Sequence, residues 1–307
     1  MTEVEVRLLN VGGINNTPLE GVSKKQVMSD KKTALEQFLS SEGQNKVVLL
    51  NECVSGTPEV DPYSYAKEKQ DLVEGANGKY SAICCLGKNI ALDSTDTDKV
   101  STILEIIDRN NTELFVAERA VAKVNVGGKA VYFVVIHCTE WKGDEGDNPL
   151  GRANSIKKIL DDLKSSEVLK NEKIIIGIDT NTGHIQNLGN ATNIPAESGA
   201  PETNDTQQNW RIIAPEVVNE NDEVKNGVSS DSYFTVNFSK SGEVDKKTKD
   251  LIIGLNINEF KEIKILEYGD GKWIERKSDS TALTSKNPFE HFAVRVKIRV
   301  SNEPNNA

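Results

Sequence analysis

The sequence contains ten short apolar runs, each about the length of one β-strand, and any fold for this chain has to pair them into sheets. Several runs alternate apolar and polar residues, which is the period of a strand with one buried face. The runs cover 4–10, 46–51, 79–86, 120–126, 129–137, 173–179, 232–238, 250–255, 261–267 and 292–300. Gly127-Gly128 separates two of them and predicts a tight hairpin turn.

Two amphipathic helices are predicted between the strands. In the first, apolar residues recur at helical spacing within 27–39, and Ser23 or Ser29 is the predicted cap. In the second, apolar residues recur in the same way within 156–163. Because hairpins and strand–helix–strand passages both occur, we expect an α/β fold with mixed sheets and helices on their outer faces. Residues 184–231 are rich in Asn, Thr, Gly and Pro and are predicted to form a long irregular loop within a single domain.

The composition argues against several classes of function. The net charge of −10 disfavours nonspecific electrostatic binding to nucleic acid or to an anionic membrane. A bound cation would still let the site handle phosphates, because the metal supplies the local positive charge. The sequence has no apolar run of about 18 residues, so no transmembrane helix is predicted.

The cysteines and the first residues bear on the compartment. Cys53, Cys84, Cys85 and Cys138 lie in apolar runs and follow no metal-binding spacing, so we expect buried free thiols. The opening MTEVEVRLLN lacks the basic and apolar regions of a signal peptide. These features favour a soluble intracellular protein, and we expect a monomer.

Polar residues with catalytic potential stand where the apolar runs end or begin. Any one of them would more often cap a turn. Six such positions in one chain indicate a ligand site at the rim of the sheets. The residues are Asn10, Glu52, His137, Asp179 with Asn181, Asp250, and Glu290 with His291.

Metal-assisted hydrolysis of a phosphoester is the chemistry that suits these residues. A hard divalent ion such as Mg²⁺ takes oxygen ligands, of which Glu52 is the first candidate, with Asn10 and Glu290 nearby. A histidine can act near neutral pH as the base that activates water, and a carboxylate fixes its tautomer. Asn181 and His137 can stabilise the charge that develops on the phosphoryl oxygens.

In their order, these motifs resemble those of the endonuclease/exonuclease/phosphatase superfamily, typified by deoxyribonuclease I. LLNVGGIN resembles its opening Asn motif and VVLLNE its strand ending in Gln-Glu. GIDTN is similar to its Gly-Asp-x-Asn motif, and FEHFAV to its Ser-Asp-His-x-Pro-Val ending. The stretch ELFVAERAVAKVNVGGKAVYFVVIHCTEW most resembles the deoxyribonuclease I branch, and the resemblance spans nearly the whole chain.

The resemblance implies a deoxyribonuclease I-like, four-layered α/β sandwich, in which two packed mixed β-sheets are flanked by helices and the site lies at one rim. It implies Mg²⁺ or Mn²⁺ as the cofactor, with Glu52 as the main ligand and Asn10 and Glu290 in its vicinity. It also implies that the substrate is DNA.

Roles for the remaining residues follow from the same resemblance. His291 would be the general base, oriented by Asp250, with Asp245 as a rival for that position. His137 would donate to a phosphate oxygen or help to protonate the leaving oxygen. Asp179 and Asn181 would position the nucleophile and the scissile phosphate. The weaker candidates for contacts with substrate phosphate are Arg119 and Lys142.

Alternatives remain beside the leading interpretation of a Mg²⁺-dependent DNA endonuclease. One is a phosphatase or a phospholipase C-type phosphodiesterase of the same superfamily, acting on an inositol phosphate or on sphingomyelin. The other is a binding module that kept the fold and lost the chemistry. Departures from the family motif favour the second alternative, because Glu290 replaces its Asp, Phe289 replaces its Ser and Ala293 lies near its expected Pro.

Overall fold

The structure is a computed structural model with two seven-stranded sheets, a two-stranded sheet and, within the described residues, three α-helices. No helix among these residues is long and apolar enough to cross a membrane. The residues described are 2–13, 22–40, 45–65, 71–75, 79–112, 114–139, 149–181, 196–197, 210–213, 217–218, 224–225, 249–257, 259–275 and 287–300.

The first sheet is mixed. Its central strands β1 and β2 are parallel, and β1 pairs antiparallel with the strand nearest the C-terminus. In spatial order the strands are β15 (Lys272–Glu275), β14 (Glu259–Gly269), β16 (Ala293–Val300), β1 (Thr2–Asn10), β2 (Lys46–Val54), β4 (Lys79–Leu86) and β3 (Asp71–Glu74).

The second sheet is mixed as well. A parallel pair, β7 and β8, lies at its centre, and every other pairing is antiparallel except that of β10 with β9. In spatial order the strands are β5 (Ile90–Leu92), β6 (Val116–Val126), β7 (Lys129–Cys138), β8 (Ile174–Asp179), β13 (Asp250–Leu255), β10 (Trp210–Ile213) and β9 (Ala196–Glu197). The small third sheet pairs β11 (Val217–Val218) with β12 (Val224–Lys225).

The helices cover the outer faces of the two large sheets. Helix α1 (Lys24–Phe38) buries Leu35 and Phe38 against the first sheet, and the side chain of Ser23 caps it by accepting the N–H of Gln26. Helices α2 (Thr97–Arg109) and α3 (Pro149–Ser165) pack on the second sheet. The order helix, sheet, sheet, helix confirms the predicted four-layered sandwich.

Some elements differ from the sequence prediction. Helix α2 was not predicted, because its apolar face consists of β-branched residues that equally suit a strand, while Asp96 caps its first turn. The short strands β3, β5 and β15 also went unpredicted. The stretch 184–231, predicted to be irregular, contains strands β9 to β12, and the predicted strand 232–238 lies outside the described residues. All four cysteines are buried and free, as predicted.

The two sheets approach each other closely at Gly177, two residues before the end of β8. A Cβ atom at this position would lie 2.6 Å from Cδ1 of Leu49 and 3.1 Å from Cδ1 of Leu8. Leu8 and Leu49 belong to the same buried core as Phe133 of β7. The absence of a side chain at Gly177 therefore lets the polar ends of both sheets come together just beyond this contact.

We expect Gly177→Ala to destabilise the protein by about 1–3 kcal/mol, because the added methyl group overpacks the core between the sheets. Urea unfolding followed by tryptophan fluorescence would measure the change. Gly269→Ala is the matched control, since a Cβ there has no atom within 4 Å, and we expect a change within about 0.5 kcal/mol. Equal midpoints for the two variants would contradict the close approach at Gly177.

Candidate active site

The register of the second sheet brings three predicted site residues side by side. Asp179 ends β8 and is paired with His137 on the parallel neighbour β7. On its other side Asp179 is paired with Asp250, the first residue of the antiparallel strand β13. Paired residues project from the same face of a sheet, so all three side chains point toward the first sheet.

Asn10 links this group to the first sheet. Its Nδ2 donates to Oδ2 of Asp179 at 2.6 Å and lies 3.4 Å from Oε1 of Glu52. Its Oδ1 accepts the backbone N–H of Gly12 at 2.7 Å. The part of Asn10 that faces the carboxylates is thus the donor nitrogen, and its role as a metal ligand stays a prediction.

A β-bulge turns Glu52 toward the rim. In β2, Leu49 faces the second sheet, and strict alternation would send Glu52 to the opposite face. The pairing with β4 shifts between Leu50 and Cys53, and Glu52 has a φ of 55°, an uncommon conformation for a residue with a side chain. Strained backbone of this kind is concentrated at functional sites.

His291 and Asp250 form a buried pair. Nδ1 of His291 donates to Oδ2 of Asp250 at 2.6 Å and lies 3.9 Å from Oδ2 of Asp179. Burial lowers the pKa of His291, but the charges of Asp250 and Asp179 outweigh it and raise that pKa to about 9. The structure thus places Asp250 beside His291, and the rival Asp245 lies outside the described residues.

His137 is held between two glutamates. Its Nδ1 lies 3.0 Å from Oε2 of Glu118, and its Nε2 lies 3.1 Å from Oε1 of Glu52. Burial lowers the pKa of His137, but the hydrogen bonds to both glutamates outweigh burial and raise it to about 10. His137 is therefore an imidazolium near neutral pH, with both ring nitrogens donating.

Glu118 was missed in the sequence, although a signal was present. Counting outward from Gly127-Gly128, Val126 is paired with Lys129, and the same register places Glu118 directly opposite His137. Arg119, predicted as a weak phosphate contact, projects from the other face of β6 and pairs with Asp108 of α2 at 2.6 Å. Lys142, the other weak candidate, lies outside the described residues.

A tight turn after β8 positions Asn181. Its backbone N–H donates to Oδ1 of Asp179 at 2.9 Å, and its Nδ2 donates to the carbonyl of Cys138 at 2.6 Å. Arg152 of α3, buried and missed in the sequence, donates to the carbonyls of Thr180 and Thr139 at 2.5 and 2.8 Å. Arg152 thereby fixes the ends of β7 and β8 together.

Two lysines on the first sheet's side of the site were also missed. Nζ of Lys79 donates to Oε2 of Glu52 at 2.8 Å. Lys31 of α1 is fully buried and donates to the carbonyls of Val11 and Gly13 at 2.8 and 3.1 Å. Burial lowers the pKa of Lys31 to about 8, partly opposed by the charges of Glu290 and Glu52. The charge of Glu290 also raises the pKa of Lys79, so Glu290 lies on the same side of the site as Glu52.

The charges around Glu52 decide its ionisation. Burial raises the pKa of Glu52, but the hydrogen bonds and charges of His137 and Lys79 outweigh burial and hold that pKa well below its usual range. Glu52 is therefore ionised at neutral pH. An ionised carboxylate is the form that binds a metal ion.

No protein-family model and no curated protein matches the sequence. Solved structures do match. D. rerio TDP2 complexed with a single-strand DNA product gives a TM-score of 0.57 at 14% identity, over 98% of this chain and 100% of that chain. The human Nocturnin catalytic domain with a bound sulfate anion gives 0.53 at 10% identity, over 98% and 94%. An endonuclease/exonuclease/phosphatase family protein from Bacteroides thetaiotaomicron gives 0.50 at 11% identity, over 97% of both chains.

The chain has the deoxyribonuclease I-like fold of the endonuclease/exonuclease/phosphatase superfamily. The prediction of this fold from the motifs is confirmed. At these identities the likeness concerns the fold.

The donor set on this deoxyribonuclease I-like fold fits a divalent cation. Carboxylates of Glu52 and Asp179 lie on either side of Asn10, and hard ions such as Mg²⁺ and Mn²⁺ prefer such oxygens. Asp179, Asp250 and His291 also offer ligand atoms that all lie within 4.8 Å of one another. Asp179 belongs to both sets, so it is the residue that any cation at this rim would share.

We expect Glu118→Gln to lower the pKa of His137, because the neutral amide no longer favours the imidazolium. NMR titration of the imidazole resonances in EDTA would measure this shift, and only three histidines need assignment. Asp108→Asn is the control, since Asp108 contacts the opposite face of the same strand through Arg119. An unchanged titration of His137 in Glu118→Gln would contradict the role assigned to Glu118.

Proposed function

We propose that this protein is a metal-dependent phosphodiester hydrolase that cleaves DNA as an endonuclease. The observation that carries the proposal is the buried Asp250–His291 pair standing beside Asp179, on the same rim as the ionised Glu52. A histidine base next to a group of carboxylates is what metal-assisted attack of water on a phosphodiester requires.

His291 is the proposed general base. In the neutral ring Nδ1 donates to Asp250, and Nε2 is the nitrogen that takes a proton from water; with a pKa of about 9, the fraction of His291 in this neutral form grows as the pH rises toward that value. The carboxylate holds the ring in this tautomer and then stabilises the imidazolium that forms. Asp179, 3.9 Å from Nδ1 of His291, stabilises the same positive charge.

His137 and Asn181 are the proposed contacts for the phosphoryl oxygens. The imidazolium of His137 and Nδ2 of Asn181 lie 3.1 Å apart, so two donors stand together at one point of the rim. Donors that are already fixed before the reaction stabilise charge as it develops on the transition state. His137 can also give its Nε2 proton to the leaving oxygen, after which Glu118 fixes the neutral ring through Nδ1.

The residues proposed to hold Mg²⁺ or Mn²⁺ are Glu52 and Asp179, with Glu290 on the same side of the site. When bound, such an ion supplies Lewis-acid stabilisation of negative charge on the phosphoryl group. Asn10 keeps the two carboxylates turned toward each other through its amide nitrogen.

Two of the similar structures support a phosphate ligand and a nucleic acid. D. rerio TDP2 was solved with a single-strand DNA product, and sulfate, bound to human Nocturnin, has the shape and charge of a phosphate group. The stretch that ends near His137 resembles the deoxyribonuclease I branch, and this resemblance favours DNA as the substrate.

We expect Glu52→Gln and His291→Ala to fail in different ways. Glu52→Gln should weaken binding of Mn²⁺ and reduce the nicking of supercoiled plasmid. His291→Ala should keep Mn²⁺ binding and lower the nicking rate by about 10²–10⁴, the usual contribution of a general base. Calorimetric titration with Mn²⁺ and gel assays of nicking would measure the two properties.

The same pair of variants separates the alternatives. The wild-type protein could fail to nick plasmid but hydrolyse phosphoinositides or sphingomyelin, and His291→Ala could abolish that hydrolysis. This result would favour the phosphatase or phospholipase C alternative over the nuclease. No hydrolysis of any of these substrates would leave the binding module.

Glu290→Asp tests whether the site has decayed from the family motif. We expect kcat/KM to change by less than about tenfold, because Phe289 and Glu290 fit their surroundings in this structure. Phe289 is fully buried and stacks on Trp273 with ring centroids 5.6 Å apart, where a serine would leave a cavity. A gain of more than about a hundredfold in Glu290→Asp would show a decayed site and favour the binding module.

A further inference from the structure

A row of polar side chains crosses the rim of the proposed site, and a lysine stands at each end of it. Lys79 contacts Glu52 at 2.8 Å, and Glu52 contacts Nε2 of His137 at 3.1 Å. Nδ2 of Asn181 lies 3.1 Å from the same Nε2, and Oδ1 of Asn181 accepts from Nζ of Lys249 at 3.2 Å. The two ammonium groups therefore end a row of contacts that has the His137–Asn181 pair within it.

Lys79 is placed where a ligand can reach it. It is the first residue of β4, and its side chain is 49% exposed. The neighbouring Gly13 has no side chain, and a Cβ there would lie 3.6 Å from Cε of Lys79. With about half of its side chain exposed, the ammonium of Lys79 can be shared between Glu52 and an incoming anion.

Lys249 is anchored more firmly. Its carbonyl accepts the N–H of Thr180 at 2.8 Å and the hydroxyl of the same residue at 3.0 Å. This fixes its backbone beside the turn that carries Asn181, and Asp250 follows it directly. The ammonium of Lys249 is thus held at the β13 end of the row, away from Lys79.

Local positive charge is needed at this rim because the molecule is acidic. The net charge is −10, and the group at the rim includes the carboxylates of Glu52, Glu118, Asp179 and Asp250, with Glu290 nearby. A strand with many phosphates would be repelled by such a surface unless cations met the phosphates on either side of the one being cleaved. Lys79 and Lys249 lie at the two ends of the row of contacts that contains His137 and Asn181.

We infer that Lys79 and Lys249 contact the phosphates that flank the scissile one, so that the substrate is a nucleic-acid strand and not an isolated phosphodiester. The inference rests on the proposed hydrolysis of phosphodiesters at His291. Neither lysine touches the reacting atoms in this arrangement, and each determines which substrates bind well.

The test is the binding of a fluorescent single-stranded oligodeoxynucleotide of about ten nucleotides to protein in the His291→Ala background, measured by anisotropy over a range of salt concentrations in Mg²⁺. Adding Lys79→Met or Lys249→Met should each weaken binding about tenfold and lower the slope of log Kd against log salt by about 0.7, the value for one phosphate contact on a single strand. A purely structural role would not change the salt slope.

Lys170→Met is the matched control. Lys170 is 45% exposed and paired with Glu167 at 2.7 Å, much as Lys79 is paired with Glu52, but it precedes β8 and so lies at the opposite end of the sheet from Asp179. Its replacement should leave both the affinity and the salt slope at the values of the background protein. The inference would be overturned if Lys79→Met and Lys249→Met, the two rim variants, had the same salt slope as Lys170→Met.

A kinetic comparison with His291 intact tests the substrate class. Each rim variant should lose about tenfold more kcat/KM on the oligodeoxynucleotide than on a dinucleoside monophosphate, which has no flanking phosphates. Equal losses on the two substrates would also overturn the inference. If the protein nicks plasmid but the salt slopes of the variants are unchanged, the proposed function stands and the inference is wrong. If the salt slopes change but no substrate is hydrolysed, the lysine contacts stand and the proposed function is wrong.

Discussion

The arrangement of the whole site depends on the register of β8. Its last residue, Asp179, is paired with His137 on one side and with Asp250 on the other, and Asn10 reaches it from the facing sheet. A slip of one residue would turn all of these side chains to the helix-covered face. The arrangement also depends on Gly177 in the adjoining core. A larger residue there would hold the two sheets apart, and Asn10 could then no longer reach from one sheet to the other.

Electrostatic pairing then makes a cluster of buried charges tolerable. A buried ion without a partner costs several kcal/mol, so carboxylates at this depth require cations or donors close by. The two histidines stabilise different carboxylates. His291 is hydrogen-bonded to Asp250, and His137 contacts both Glu118 and Glu52. The two rings also differ chemically: among the described residues, carboxylates contact both nitrogens of His137 but only Nδ1 of His291.

The sequence predicted the strand-end residues well because a strand's end is a local property. Asp179, Asp250 and His137 follow or precede apolar runs that are visible without knowledge of the fold. Contacts across strands are harder to predict. Glu118 required the hairpin register, and strand alternation alone would have shown that Arg119 projects away from its neighbour Glu118. Lys79, Lys249, Arg152 and Lys31 reach the site from separate elements, and no local pattern marks them.

The departures at Phe289 and Glu290 are coupled to Lys31 by packing and charge. The ammonium of Lys31 lies 5.8 Å from the centroid of the Phe289 ring, and the same ring stacks on Trp273, which in turn contacts Phe38 of α1. The side chain at 289 is therefore part of the core between α1 and the first sheet, where an aromatic ring fills space that a serine would leave empty. An ammonium buried in that core needs negative charge nearby, and Glu290 supplies part of it. Phe289 and Glu290 therefore act on the same buried lysine, Phe289 through packing and Glu290 through charge, so a change at either position would also be felt at Lys31.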